Sequence, residues 1–338
     1  MKIGIIIEPS VSPAEIVRLG QLAESYGIDA LWTPSHSSAR DPFMALTPLA
    51  FHSKKIRLGT IALSPFEVHP LKIIHSLFTL NEYSKGRASA VVGVGGGSLN
   101  AAGLRPTRRV RALRECIDIL RAASEQELLQ YKGEIYQVAT YQPFPWKSFV
   151  PPRVYVAGSK DQLVRMSTKQ ADGVMFSDVT VPMMSGRMEI INEGLAAAGR
   201  SREEFHVNNL VALHINEDRD AAVREAREKM WIRGMVEPFY TKDFLDAKDR
   251  EIVAENWNSF MHAFKNKTHI VEGVPDRIMD ALVKGLTLTG GPDNIDDIVE
   301  HLQQFRAAGL DEIALRTYSN PAYAIKMIGE HILPVMAP

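Results

Sequence analysis

The chain has 338 residues, a formal net charge of −1 at pH 7 and 45% hydrophobic residues. A chain of this length can bury about three quarters of its unfolded surface, so core supply is not limiting. The balanced charge gives no argument for nucleic acid or an acidic partner. The single cysteine, Cys116, excludes an intrachain disulfide and sits in a helical apolar stripe, where packing is its expected role. No apolar run approaches the roughly 20 residues that a membrane span needs. Met1-Lys2 leads straight into a strand without a signal-peptide pattern, so a cytoplasmic protein is expected.

Ile3 to Ile7 is an apolar run of strand length, ended by Glu8-Pro9. Pro13 to Tyr26 is predicted helical, with Ser12 as cap, Pro13 at the first position and Gly27 as the stop. Asp29 to Thr33 reads as a second strand, followed by Pro34-Ser35-His36. A helix over Pro42 to His52 and a third strand over Ile56 to Leu63 follow. Pro70 to Tyr83 is a helix, with His69 placed to cap it. Thr107 to Ala123 carries Val110, Leu113, Ile117 and Leu120 on one face.

Between these helices lies Lys85 to Ser98, read as a turn, a buried strand and a loop nearly devoid of side chains. Val91, Val92 and Val94 suit a strand. Gly95, Gly96 and Gly97 remove every Cβ from its exit, which lets a ligand touch backbone N–H groups. A flexible turn is the plainer reading, with Asn100 to Pro106 continuing as loop. The first strand, where a dinucleotide fold would carry its glycines, ends in Ile7-Glu8-Pro9, which argues against a Rossmann fold.

Tyr131 to Phe149 is rich in aromatic residues and prolines, including Phe144, Trp146 and Phe149, and reads as a hairpin excursion. Alternation then resumes with strands at Val154 to Ala157, Gly173 to Ser177 and Phe205 to Ile215, each followed by a helix. A charged helical insertion spans about 240–267; its Tyr240 to Phe264 part and the aromatic excursion Tyr131 to Phe149 read as a roof over a ligand pocket, as a subunit interface, or as both. Thr287 to Gly291 is a short strand or a loop, and Leu310 to Arg316 is the last strand before the closing helix, Ala322 to Leu333. Eight strand–helix units favour a (β/α)8 TIM barrel with insertions over an open sheet, as a single domain over residues 1–338 with excursions at about 130–152 and 240–267. All strand exits then share one face.

Several stretches resemble one family. Leu31-Trp32-Thr33-Pro34-Ser35-His36 resembles the second-strand motif of the luciferase-like superfamily of flavin- and deazaflavin-dependent oxidoreductases. His69-Pro70, Leu80 to Arg87 and the Gly93-to-Gly97 exit resemble its third-to-fourth-strand signature. Tyr155 to Ser159 with Ala171 to Val174 resembles its fifth and sixth strands, and Gly309 to Ile313 with Ile332-Leu333-Pro334 its ending. Chain length and the His-Pro pair look most like the methylenetetrahydromethanopterin reductase branch, whose members mostly use coenzyme F420.

The resemblance implies a cofactor across the strand exits. Ser35, Thr60, Ile61, Ala62, Gly95 and Gly96 would lie near its ring and ribityl chain. Ala157, Gly158 and Ser159 would meet its phosphate at a helix N-terminus, with further backbone contacts from Gly173 and Val174. Thr60-Ile61 falls where many relatives carry a non-proline cis peptide, and the sequence leaves its presence open. Two departures stand out: Ser35 and Ser98 occupy places that are acidic in many relatives. Relatives are commonly dimers, so a homodimer acting on a small-molecule substrate is expected.

His36 reads either as a proton or hydrogen-bond donor near the ring or as a capping loop histidine. Glu8 ends strand one at the same mouth and could act as an acid, position substrate or pair with Arg316. Arg316 could instead bind an anionic substrate group. Arg105, Arg108, Arg109, Arg111 and Arg114 form a solvated basic face or meet the acidic tail of a deazaflavin. No HxH, HExxH or Cys–His cluster points to a metal, and no G-x-S-x-G motif points to a hydrolase. An F420-dependent oxidoreductase moving a hydride at the cofactor C5 is the expected function. An FMN-dependent monooxygenase and a flavin-binding barrel without chemistry are the alternatives.

Overall fold

The computed structural model describes residues 1–336 apart from 9, 38, 143–149 and 233–234. The strands are β1 (Lys2–Ile6), β2 (Ala30–Pro34), β3 (Arg57–Leu63), β4 (Ala88–Val92), β5 (Leu129–Lys132), β6 (Gln137–Tyr141), β7 (Arg153–Ala157), β8 (Gly173–Ser177), β9 (His206–Ile215), β10 (Thr287–Gly290) and β11 (Glu312–Arg316). Parallel pairing runs β11-β1-β2-β3-β4-β7-β8-β9, and β9 pairs back onto β11. These eight strands close a (β/α)8 barrel. β5 and β6 form a separate antiparallel ribbon, and β10 pairs only with the last four residues of β9.

Local chemistry sets the element ends. Ser12 caps the helix Pro13–Tyr26 through the Glu15 N–H, and Gly27 ends it at φ 87°, a left-handed conformation that suits glycine. His69 caps Pro70–Tyr83 with Nδ1 accepting from the Leu71 N–H at 3.2 Å. Two readings need correction. A one-turn helix, Gly97–Ala101, starts directly after the glycine run, where the sequence reads as loop. Its cause is a contact within the loop itself: Leu99 is buried and folds back over Gly95, where any Cβ would meet its Cδ1 at 2.2 Å. The helix Asp276–Leu286 was not anticipated, although Ile278, Met279, Leu282, Val283 and Leu286 mark one buried face at helical spacing.

The insertion supplies the helices Ala247–Glu255 and Trp257–Asn266 and a single turn, Pro238–Thr241. Arg108 and Arg111 both reach Glu134, beside the ribbon, so two members of the basic face pin the hairpin. Phe144, Pro145, Trp146 and Phe149 lie outside the described residues.

Side chains alternate along each barrel strand, and the two faces carry different cores. Ile3, Ile5, Leu31, Leu58, Val92, Val156, Val174 and Phe176 join the core under the helices. Ile6, Trp32, Ile61, Val91, Tyr155, Met175, Leu210 and Ala314 fill the barrel interior. Trp32 lies across Gly59, whose Cβ, if present, would stand 2.0 Å from the indole. Tyr155 meets Trp32 edge-on at 5.9 Å. Below them the Arg57 guanidinium bonds Asp29 and reaches Glu312 at 2.9 Å, while the Tyr155 hydroxyl donates to Glu312 at 3.2 Å. The waist of the barrel is therefore filled; a cavity of about 430 Å³ lies at the foot, beside Lys2, His206 and Glu312, and a larger one of about 680 Å³ lies at the C-terminal ends of the strands. Among the described residues, no helix is long and apolar enough to cross a membrane.

Candidate active site

Three charged groups meet at the mouth. Glu8 follows β1, His36 follows β2, and Arg316 ends β11, which pairs with β1 at Ile6. Arg316 donates from Nε to Glu8 Oε1 at 2.7 Å, and its Nη2 lies 2.5 Å from the same oxygen. His36 Nε2 sits 3.3 Å from Glu8 Oε2. Burial works to raise the Glu8 pKa, but the His36 hydrogen bond and the Arg316 charge outweigh it and hold the carboxyl below its ordinary value.

Beside this triple a cavity of about 680 Å³ opens over the exits of β2, β3, β4, β7 and β8. That volume falls within the roughly 300–1,000 Å³ that takes cofactor-sized ligands. One stretch of its wall is nearly bare backbone, formed by Ala62, Gly93, Gly95, Gly96, Ala157 and Gly158. A Cβ at Gly96 would meet nothing within 4 Å, so the glycine leaves open space there. Ser35 and His36 stand at one end. At the other end, Lys160 precedes the helix Asp161–Gln170. The first N–H groups of that helix have no partner within it and suit an anion. A flat slot with an anion-binding end fits a tricyclic ring carrying a phosphate.

With the barrel and its mouth described, comparison with known proteins is decisive for the family. Residues 1–312 match the family described as luciferase-like monooxygenase. The chain belongs to that family. It is 26% identical over 341 residues to 5,10-methylenetetrahydromethanopterin reductase of Archaeoglobus fulgidus, covering 99% of each chain. This luciferase-like barrel also superposes on the coenzyme F420-dependent tetrahydromethanopterin reductase of Methanopyrus kandleri with a TM-score of 0.84, at 20% identity and 98% coverage of both chains. An F420-dependent secondary alcohol dehydrogenase, solved with an F420–acetone adduct, aligns with a TM-score of 0.79 at 16% identity, covering 100% of this chain and 99% of that one.

The structure gathers some of the expected site residues and separates others. Ser35, His36, Ala62, Gly95, Gly96, Ala157, Gly158 and Ser159 all line the cavity of this luciferase-like barrel, as does Ser98. Gly173 and Val174 do not. They open β8 at the foot of the barrel, where Gly173 packs against Tyr155 and the His206 carbonyl while Val174 joins the outer core. The residue of β8 that reaches the cavity is Ser177, at the strand's other end. Thr60 and Ile61 also stay out of it. Thr60 pairs in register with Ala90, and its hydroxyl is buried without a hydrogen-bond partner. Ile61 belongs to the filled interior just beneath.

No cis peptide bond occurs among the described residues, so the Thr60–Ile61 bond is trans. The β3–β4 register nonetheless shifts between Thr60 and Leu63, which marks a bulge, and the Ser35 N–H donates to the Ile61 carbonyl at 2.5 Å. Two expected phosphate donors are already engaged. The Gly158 N–H goes to the Met175 carbonyl at 3.2 Å, and Ser159 Oγ bridges to the Ser177 backbone at 3.0 and 3.2 Å. Arg316 is committed to Glu8 rather than open to a substrate anion.

Sequence reasoning missed Ser37, Glu67, Lys160 and Leu163, which also line the cavity. Lys160 and Ser177 follow from the strand-exit rule alone. Tyr240 opens the insertion read from the sequence as a roof of the pocket or a subunit interface, and it lines the cavity.

The Glu8 carboxylate links two partners, so its charge contributes to stability at neutral pH. A folded pKa below the ordinary value near 4.5 means that this contribution is lost as pH falls through the folded value. Glu8→Gln, which leaves Arg316 unpaired, is expected to lower stability at pH 7 by about 1–3 kcal/mol. In urea unfolding the deficit should shrink steadily below the ordinary carboxylate range. A deficit that is constant with pH would contradict this assignment.

Proposed function

We propose that this protein is a coenzyme F420-dependent oxidoreductase that transfers a hydride between the cofactor C5 and an organic small molecule. The observation that carries this reading is the backbone-walled slot at the exits of β3, β4 and β7, flanked by the Glu8–His36–Arg316 triple. The printed names of the A. fulgidus relative and of two similar structures support the same class of chemistry. Coenzyme F420, when bound, supplies or accepts a hydride at C5 of its ring.

The chain's own part is positional. Gly93, Gly95, Gly96 and Ala62 let the ring approach the backbone closely, so donor and acceptor are held within reacting distance. Lys160 and the start of Asp161–Gln170 take the phosphate end. Glu8 orients the His36 imidazole through Nε2, and that ring exchanges the proton that accompanies hydride transfer. Leu163 and Tyr240 narrow the access of water. The lone buried Cys116, without a disulfide partner, fits a reducing compartment such as the cytoplasm.

The family description favours a second reading, an FMN-dependent monooxygenase that uses the same slot. One titration separates them. Fluorescence binding of F420 at submillimolar affinity, with reduced FMN ignored, is the expected outcome. FMN binding without F420 binding would replace the first reading by the second.

His36→Ala is expected to bind the cofactor as the native protein does and to lower turnover about 10²–10⁴-fold, the usual share of a positioned acid–base group. Full turnover in that variant on an identified substrate would remove the histidine from the chemistry.

We also propose a homodimer. Met44 and Phe51 are 71% and 63% exposed on the helix Pro42–His52, and Phe51 packs on Tyr83 of the neighbouring helix at 4.8 Å. A second copy would cover this apolar strip. Sedimentation velocity should find a dimer in the native protein and a monomer in Phe51→Glu. A native monomer at micromolar concentration refutes the proposal.

A further inference from the structure

The charged triple at the mouth continues beyond Arg316. The Arg316 guanidinium lies over the ring of Tyr318, 5.5 Å from its centroid. That ring is stacked on His214, with centroids 4.9 Å apart and planes within 2°. His214 is 1% exposed, and its Nδ1 sits 2.7 Å from Glu225 Oε2. The other Glu225 oxygen accepts from the Ser319 N–H at 3.1 Å and from the Ser319 hydroxyl. Burial works against the Glu225 charge, but the His214 contact outweighs it and holds the carboxyl below its ordinary value. Neither His214, Tyr318 nor Glu225 lines the cofactor cavity. A buried imidazole–carboxylate pair is costly to assemble, and here its product is one tyrosine ring held flat under an arginine.

We propose that Tyr318, backed by the His214–Glu225 pair, is a positioning residue that keeps the Arg316 guanidinium on Glu8 and so sets the charge that faces His36. Arg316 is a long side chain whose only ion-pair partner among the described residues is Glu8. The ring face is its second support. The backbone beneath is fixed, because Thr317 donates from both its N–H and its hydroxyl to the Ile6 carbonyl, at 3.3 and 3.2 Å. The stacking then decides where the Tyr318 ring lies.

Among the described residues, the charged groups around His36 come from four other elements and its own loop, Lys160 of the β7 exit sharing the cavity. Glu8 follows β1, Arg316 ends β11, and Glu67, on the β3 exit, shares the cavity. Arg40, on the His36 loop, turns to the Ser10 and Val11 carbonyls at 2.8 and 2.9 Å. Only Arg316 is held by a stack of this kind. Its functional meaning rests on the His36 assignment above, but its test needs neither cofactor nor substrate.

The test follows the His36 imidazole by NMR through a pH titration of the full chain, the resonance being assigned by its absence in His36→Asn. Tyr318→Leu is expected to raise the His36 midpoint by roughly 0.5–1 unit, because a cation leaves its vicinity while Glu8 stays ionised. Tyr318→Phe keeps the ring face and is expected to stay within about 0.2 unit of the native protein. An unchanged midpoint in Tyr318→Leu, or an equal shift in Tyr318→Phe, overturns the proposal. Should Tyr318→Leu fail to fold, Glu225→Gln is read instead: an upward shift supports the positioning role and no shift overturns it. A native protein that binds neither cofactor would sink the proposed function without touching this result.

Discussion

Trp32 laid across Gly59 is the contact on which the architecture turns. Eight parallel strands enclose a space that must be filled by side chains from alternate positions. Here one indole and the Tyr155 ring fill most of a layer, and their packing requires that β3 offer no side chain at residue 59. Underneath, Arg57 is brought from β3 to Asp29 and Glu312, so no charge in this cluster is left unpaired. Such a cluster adds little net stability, because desolvating its charges offsets their attraction. What it does is seal one end. The larger cavity, rimmed by the strand exits, lies at the other end.

The inward residues change character along the strands in step with that division. β3 runs from Arg57 through Gly59 to Ile61 and then, past the bulge, to Ala62 at the cavity wall. β7 runs from Arg153 through Tyr155 to Ala157. β8 runs from Gly173 through Met175 to Ser177. Each strand places charge or close packing at the foot, bulk at the waist and a small residue at the exit. Small exits leave backbone walls, and a flat ring is the ligand that such walls accommodate best.

This gradient explains what could be read from the sequence and what could not. The strand count, the helix caps at Ser12 and His69, and the glycine-lined exit of β4 depend on residues adjacent in the chain, and they were legible. The motif Ala171 to Val174 drew attention to the start of β8, although the strand-exit rule pointed to Ser177, four residues on. Thr60 was legible as part of an exit, but it stands before the bulge, in regular register with Ala90, and strand alternation turns it outward between Gly59 and Ile61. The helix after Gly96 exists because Leu99 finds a pocket over Gly95. The helix Asp276–Leu286 does carry a local signal, a buried face at helical spacing, but it follows directly on a long insertion. Tyr240 reaches the cavity through contacts between segments far apart in sequence, whereas Lys160 lies just past the exit of β7 and follows from the strand-exit rule.

The pairing of Arg316 with Glu8 has a consequence for substrate recognition. An arginine at a strand exit invites the reading of an anion site. Its guanidinium, however, has both of its close contacts on one carboxylate oxygen and is only 11% exposed. A substrate anion would have to displace Glu8 and leave that carboxylate half-buried without its cation, at a cost that an incoming carboxylate or phosphate merely repeats rather than recovers. The charges of Glu8 and Arg316 are equal and opposite, so this ion pair adds no net charge to the mouth. Selectivity among substrates must then arise where the sequence is least regular. Tyr240 and Glu67 stand on an insertion and an exit loop, and the same barrel can carry different specificities by changing such segments while its filled waist stays fixed.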